Sequence, residues 1–401
     1  MKIPITVALF IGLLYAATPD PGIAEIQSDL TAITGLRFER PGPVKRIGRD
    51  ELRRFLERQI QKSVKPEDLR AEELALKMFG LIPQDYSLRS ATVDLLTEQA
   101  AAFYDYRHKK MYLLDGNSDP EARVALAHEL AHALADQHFR LDHFIRDGSP
   151  NDDAATARLT VMEGQASWLM AAWLSHRAGG PDVPPSEVLK AAATSMEEGA
   201  KNYPVFAGAP LYIRESLMFP YREGMLFQNA VFEKLGREGF AEVFRRPPSS
   251  TQQILHPEDY FARRAPVIPD APAVEDEKHF RRLAEGTLGE FDIRILLEQY
   301  EGKGMAGLLS TQLAGGFFRL WEHKHERFPV LAFAVTWKSP EAARAFFTEY
   351  AMILESKWKT YEVSAQTADS LSGRGDSGRF QVHLTGARVD VVEGLAPGSL
   401  H

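Results

Sequence analysis

Val124–Phe139 reads VALAHELAHALADQHF, and its core His128-Glu129-Leu130-Ala131-His132 sets two histidines four residues apart with a glutamate beside the first. On an α-helix, positions i and i+4 differ by about 40° in azimuth and about 6 Å in rise. Both imidazoles therefore face one point and can converge on one ion. Glu129 is placed beside that point, where a carboxylate can take the proton of a water that zinc acidifies. With 12 His and 55 acids in 401 residues, such a pattern is expected about 0.05 times by chance. Its setting adds weight. Ala125, Ala127, Ala131, Ala133 and Ala135 make a slim helix that packs close to its neighbours and buries the site on a rigid element.

Zinc in a catalytic site takes three protein ligands and keeps one position open. The chain has no cysteine, so His, Asp and Glu must supply all of them, and disulfides, thiolate zinc sites and a cysteine nucleophile are excluded. Two residues compete for the third position. His138 lies six residues after His132, but Ala135 favours a continuing helix that carries His138 about 240° around and away from the ion. Glu163 lies in LTVMEGQASWLM on the next expected helix, with Gly164 and Ala166 keeping that helix face slim enough to approach. The spacing favours Glu163.

HELAHALAD (His128 to Asp136) followed by VMEGQAS resembles the gluzincins, zinc peptidases whose third ligand is a glutamate on the next helix. Tyr221-Arg-Glu-Gly224-Met-Leu-Phe227, then Leu235-Gly236, is similar to the helix that follows the glutamate helix in peptidase-MA-like members. Phe103-Tyr104-Asp105, Asp136-Gln137-His138-Phe139 and Thr251-Gln-Gln-Ile-Leu-His256-Pro257 resemble a family of bacterial metallopeptidases of unestablished substrate. The resemblance spans roughly residues 90–262. It implies His128, His132 and Glu163 as zinc ligands, one Zn2+ per chain, and Glu129 as general base. Where thermolysin-like enzymes carry an aspartate that orients a histidine ligand, this chain has Ser167, so Asp136 and Asp153 are the remaining candidates for that task. Gluzincins bring in a His or Tyr to stabilise the oxyanion, and His256 and Tyr221 are the candidates here.

Around this centre the periodicity predicts an α+β fold, with a mainly helical metallopeptidase domain, a small β-hairpin and a second, smaller α+β domain. Residues 1–18, with Lys2 before an apolar run, read as an export signal peptide, and an uncleaved segment would leave the chain tethered to a membrane. The metallopeptidase domain is expected over 23–265, a Pro-rich linker (RAPVIPDAPAVEDE and its flank) over 266–285, and the α+β domain over 286–393. Helices are expected over 120–139, 152–177, 186–200, 211–235 and 240–244. The hairpin over 103–114 can pair with an extended peptide or cover the core. His323 and His325 in WEHKHERF read as an exposed turn.

A net charge of −8 argues against a nucleic-acid partner, and past the N-terminal segment no apolar run is long enough to span a membrane. The expected activity is therefore hydrolysis of peptide or protein substrates by an exported zinc metalloprotease. The alternatives are a non-catalytic zinc-containing scaffold that binds a partner and a zinc hydrolase of a non-protein amide.

Overall fold

A computed structural model describes residues 21–40, 43–99, 101–115, 119–146 and 151–395. The segment read as an export signal lies outside them. Helix α1 (Pro21–Thr34) leads to strand β1 (Val44–Ile47) and to helices α2 (Arg49–Ser63), α3 (Pro66–Phe79) and α4 (Leu88–Gln99). Strands β2 (Ala102–Asp105) and β3 (Lys110–Leu114) form the expected hairpin, and β1 joins it in parallel to give a three-stranded sheet ordered β1-β3-β2. Helix α5 (Asp119–Phe139) carries the motif and α6 (Leu141–Arg146) turns the chain toward α7 (Asp152–Arg177). Asn151 caps α7, its side chain accepting the Ala154 N–H at 2.9 Å. Helices α8 (Ser186–Ala200), α9 (Pro204–Ala207), α10 (Leu211–Leu235), α11 (Gly239–Arg245), α12 (Thr251–Leu255) and α13 (Pro257–Phe261) complete the helical part.

The second part consists of β4 (Phe280–Leu288), α14 (Glu290–Glu301), α15 (Lys303–Ser310), β5 (Leu313–His323), β6 (Pro329–Trp337), α16 (Pro340–Lys357), β7 (Tyr361–Gln366), β8 (Ser370–Gly375), β9 (Gly378–Thr385) and β10 (Arg388–Leu395). Its seven strands form one antiparallel sheet ordered β4-β5-β6-β10-β9-β8-β7. The α+β class expected from the sequence is the class observed. Central β6 buries Val330 to Val335 without interruption: Phe333 packs on Phe79 of α3 and Tyr350 of α16, and on the alternate face Val330 and Ala332 join Val274, Trp321 and Val392.

One expectation needs correction. The span expected as linker, 266–285, ends inside the sheet: Phe280–Leu288 is edge strand β4, which pairs with β5 from Phe280↔His323 to Leu288↔Gly316. Its exposed, charged first half (FRRLAE) hides the strand from a hydrophobicity reading. The remaining stretch is not free either, since the Val267 N–H donates to the Ala314 carbonyl at 2.8 Å. The expected smaller α+β domain is present as this sheet part, and it shares its core with the helical part. Phe79 at the end of α3 packs against Phe318 and Phe333 of the sheet, and one hydrophobic core runs through both parts. At the junction, Lys357 donates to both oxygens of Glu393 (2.8 and 2.7 Å) and to the Met78 carbonyl (3.1 Å).

That junction positions α7. The Asp153 carboxylate accepts from the Thr251 N–H (3.0 Å) and hydroxyl (2.6 Å), and the Asp153 N–H donates to the Thr287 hydroxyl at 3.0 Å. The first turn of α7 is thereby pinned to α12 and to β4, which sets the register at which Glu163 is presented further along the helix.

Candidate metal centre

The alanine-rich face of α5 lets α7 pack against it, and α10 crosses α7 close enough to reach α5 as well. Gly164 and Gly224 meet at that crossing. A Cβ on Gly164 would overlap the backbone of Gly224, and one on Gly224 would overlap the Thr160 carbonyl. Two glycines in contact let the helices approach to backbone distance. Glu163 precedes one of them. Tyr221 lies three residues before the other, on the same face of α10. The Tyr221 hydroxyl reaches Glu163 in a hydrogen bond and its ring stacks on His128, centroids 5.8 Å apart.

His128, His132 and Glu163 converge. The two Nε2 atoms lie 2.9 Å apart, and Glu163 Oε2 is 3.3 Å from His128 Nε2 and 3.4 Å from His132 Nε2. Ligands bound to zinc at about 2.0–2.1 Å in a tetrahedron stand about 3.3 Å apart, so these separations fit one ion. Among the described residues this is the only group of three or more His, Cys, Asp or Glu placed to hold a metal. His138, the competing third ligand, is elsewhere: the helix continues as Ala135 favours, and His138 Nε2 bonds the Arg37 carbonyl at 2.9 Å.

The cluster is buried, with Glu129 and His132 each 1% exposed. Burial drives its groups toward their neutral forms. It pushes His128 down to about 3 and His132 to about 4, the Glu163 charge opposing it at His132, and it raises Glu163. Neutral imidazoles keep a lone pair for a metal. Glu129 is raised well above the usual carboxylate range, first by burial and then by the Glu163 charge, while a hydrogen bond from the Tyr104 backbone N–H opposes the shift. Its Oε2 is buried and has no hydrogen-bond partner among the described residues. Two buried carboxylates beside two neutral imidazoles are costly without a compensating cation. A dication held by His128, His132 and Glu163 supplies that charge, so the donor set fits the implied zinc.

The remaining candidates divide. Tyr221 is in the cluster, and burial, with Glu163 and Glu129 nearby, holds its hydroxyl protonated well above its ordinary range. His256 is engaged at the junction, where its Nε2 lies 3.0 and 3.1 Å from the two oxygens of Glu290. Asp136 accepts from the Tyr104 hydroxyl (2.8 Å), the Leu141 N–H (3.0 Å) and the Lys109 ammonium (2.8 and 2.7 Å), so it clamps the hairpin to the end of α5. Asp153 is the junction residue described above, and the Ser167 hydroxyl is buried without a partner among the described residues. The sequence reading missed the role of Tyr104: β2 is the edge of its sheet, is buried throughout, and its backbone steadies Glu129. A backbone donor leaves no trace in side-chain identity.

The His256–Glu290 pair makes stability depend on pH. The pKa of His256 is raised, chiefly by its hydrogen bond to Glu290 and against burial. A raised histidine stabilises the fold fully below its unfolded value, about 6.5, and the contribution disappears as pH rises through the folded value. His256→Gln is therefore expected to unfold more easily than wild type at pH 5.5, by on the order of 1 kcal/mol, with the gap narrowing toward pH 9. Denaturant melts at the two pH values check this, and a gap that widened with pH would refute it.

A family model for a domain of unknown function (DUF8575) matches residues 278–401. The match opens two residues before β4 and so agrees with the corrected boundary of the sheet unit, and it includes none of the cluster residues. No curated protein and no solved structure matches the chain. Among the described residues no helix is long and apolar enough to cross a membrane.

Proposed function

We propose that this chain is a zinc-dependent metallopeptidase that hydrolyses peptide or protein substrates with one zinc per chain. The observation that carries the reading is the pairing of a convergent His128–His132–Glu163 donor set with a buried, unpartnered oxygen of Glu129 beside it. A site that merely held a metal for structure would have no use for that oxygen. Zinc bound by these three residues supplies an acidified water and polarises a carbonyl. Glu129, with its unpartnered oxygen beside the donor set, would accept the proton and return it to the leaving amine. Tyr221, with a protonated hydroxyl already at the cluster, is the donor toward the developing oxyanion. His256 would have to leave Glu290 to serve, which makes it the weaker candidate.

Metal removal gives the first test. Zinc-loaded protein is expected to cleave members of a broad peptide library. Dialysis against a chelator should remove at least about 99% of that activity, because the barrier rises by several kcal/mol without the ion, and added zinc should restore it. Zinc-loaded protein that cleaves no peptide in the library would count against the proposal.

A further inference from the structure

Glu322 on β5 has a fully buried side chain, and three arginines surround it. Arg70 of α3 donates from Nη2 to Oε1 at 2.8 Å. Arg281, one of the charged residues of β4 and the register partner of Glu322, donates from Nε and Nη2 to Oε2 at 2.9 and 2.6 Å. Arg327, in the turn between β5 and β6, places Nη1 2.9 Å from Oε2. Its backbone holds a φ of 65°, a left-handed conformation unusual for arginine, and its N–H donates to the His323 carbonyl at 3.0 Å.

Three guanidiniums against one carboxylate leave a local charge of +2 on a chain whose net charge is −8. Burial raises the pKa of Glu322, but the bonds from Arg70 and Arg281 outweigh it and keep the carboxylate ionised. Each guanidinium has five N–H donors, of which Glu322 takes one or two. The arginine side chains are 54%, 47% and 53% exposed, so the unspent donors face water from a fixed base. Joining the two parts of the molecule does not need this excess, since Lys357, its charge balanced one to one by Glu393, reaches the Met78 carbonyl at the end of α3 without it. Neighbouring acids do not cancel it: Glu285 is held by Arg282 and Arg319, and Asp276 by Lys278. The turn adds Lys324 and a further acid, Glu326, and the rings of His279, His323 and His325 lie 6.3 and 6.2 Å apart in succession beside it. Those imidazoles do not converge as the His128–His132–Glu163 group does, so the patch reads as an anion site and not a second metal site.

We propose that Arg70, Arg281 and Arg327, held by Glu322, form a binding site for a phosphomonoester dianion. A charge of −2 balances the local +2, and guanidinium forks match phosphate oxygens in pairs. The site spans α3 and the sheet, so its ligand tightens the junction of the two parts.

The test is calorimetric titration of the full chain with inorganic phosphate at constant ionic strength, with chloride as the reference. One saturable site per chain is expected, together with a higher melting temperature in phosphate. Arg281→Gln and Arg327→Gln should each weaken binding at least about tenfold, the loss of one charge-assisted fork. Arg344→Gln, whose guanidinium pairs with Asp369 elsewhere, should bind as wild type. Two further arms separate the sources of the phosphate. Saturable binding of glycerol 3-phosphate without binding to phosphatidylcholine vesicles containing phosphatidic acid identifies a soluble ester, and binding to those vesicles identifies a lipid headgroup. Wild-type protein that gives only heats of dilution with phosphate overturns the proposal without reference to any variant. So does equal binding by wild type and by folded Arg281→Gln and Arg327→Gln.

Discussion

Glu129→Gln is expected to bind zinc as wild type does and to lose peptide hydrolysis by about 10²–10⁴-fold, the usual contribution of a general base. The expectation rests on what the side chain touches. Glu129 is not one of the three convergent donors, so the metal set stays intact. Gln has the same shape, and its carbonyl oxygen can still accept the Tyr104 N–H that steadies Glu129. It also lacks the charge that burial makes costly here, so the fold has no reason to weaken. The amide cannot take up a proton at neutral pH. Zinc content and cleavage rate must therefore separate in this variant, whereas in His128→Ala both fall together. Undiminished hydrolysis in Glu129→Gln would exclude the residue as the base.

Gly224→Val is expected to destabilise the protein by at least about 4 kcal/mol and to lose zinc as well, an effect of the size reserved for severe packing faults. The added side chain would run into the Thr160 carbonyl and the Gly164 backbone, and backbone cannot swing aside as a side-chain end does. Relief requires α10 to move off α7, which draws Tyr221 away from Glu163 and loosens the carboxylate that completes the donor set. Gly199→Ala in α8 is the control. It points into open space and should be neutral or stabilising by up to about 1 kcal/mol. Thermal melts with parallel metal analysis check both variants, and Gly224→Val with wild-type melting and full zinc would contradict the packing argument.

The legible part of the site was the part written in side-chain identity at helical spacing. His128, Glu129 and His132 follow from the i, i+4 rule, and Glu163 from its small neighbours. Tyr221 follows from resemblance alone. Hidden were the features that depend on which backbone meets which: the Gly164–Gly224 contact, the Tyr104 N–H on Glu129, and Asp136 as a clamp on the hairpin. The fold divides in the same way. Long periodic helices such as α5, α7 and α10 are visible in the sequence within a residue or so. Short β1, edge strand β4 and hairpin strand β8 are not: β1 is four residues with Lys45 and Arg46 at its centre, β8 alternates in burial but puts Gly373 and Gly375 at buried positions, where they give no hydrophobic signal, and β4 begins with charged or half-exposed residues. The linker was misjudged for that reason, and the shared core could not be read at all: nothing in Phe79 says that it packs on Phe318 and Phe333, residues more than two hundred positions away.

The central claim is that His128, His132 and Glu163 hold one zinc ion. Metal analysis of zinc-loaded, dialysed wild type and Glu163→Ala tests it most directly. One zinc per wild-type chain and little or none in Glu163→Ala is the predicted result, since a third ligand removed from a three-ligand site lowers affinity by orders of magnitude. Equal zinc in the two proteins, or none in either, would contradict it.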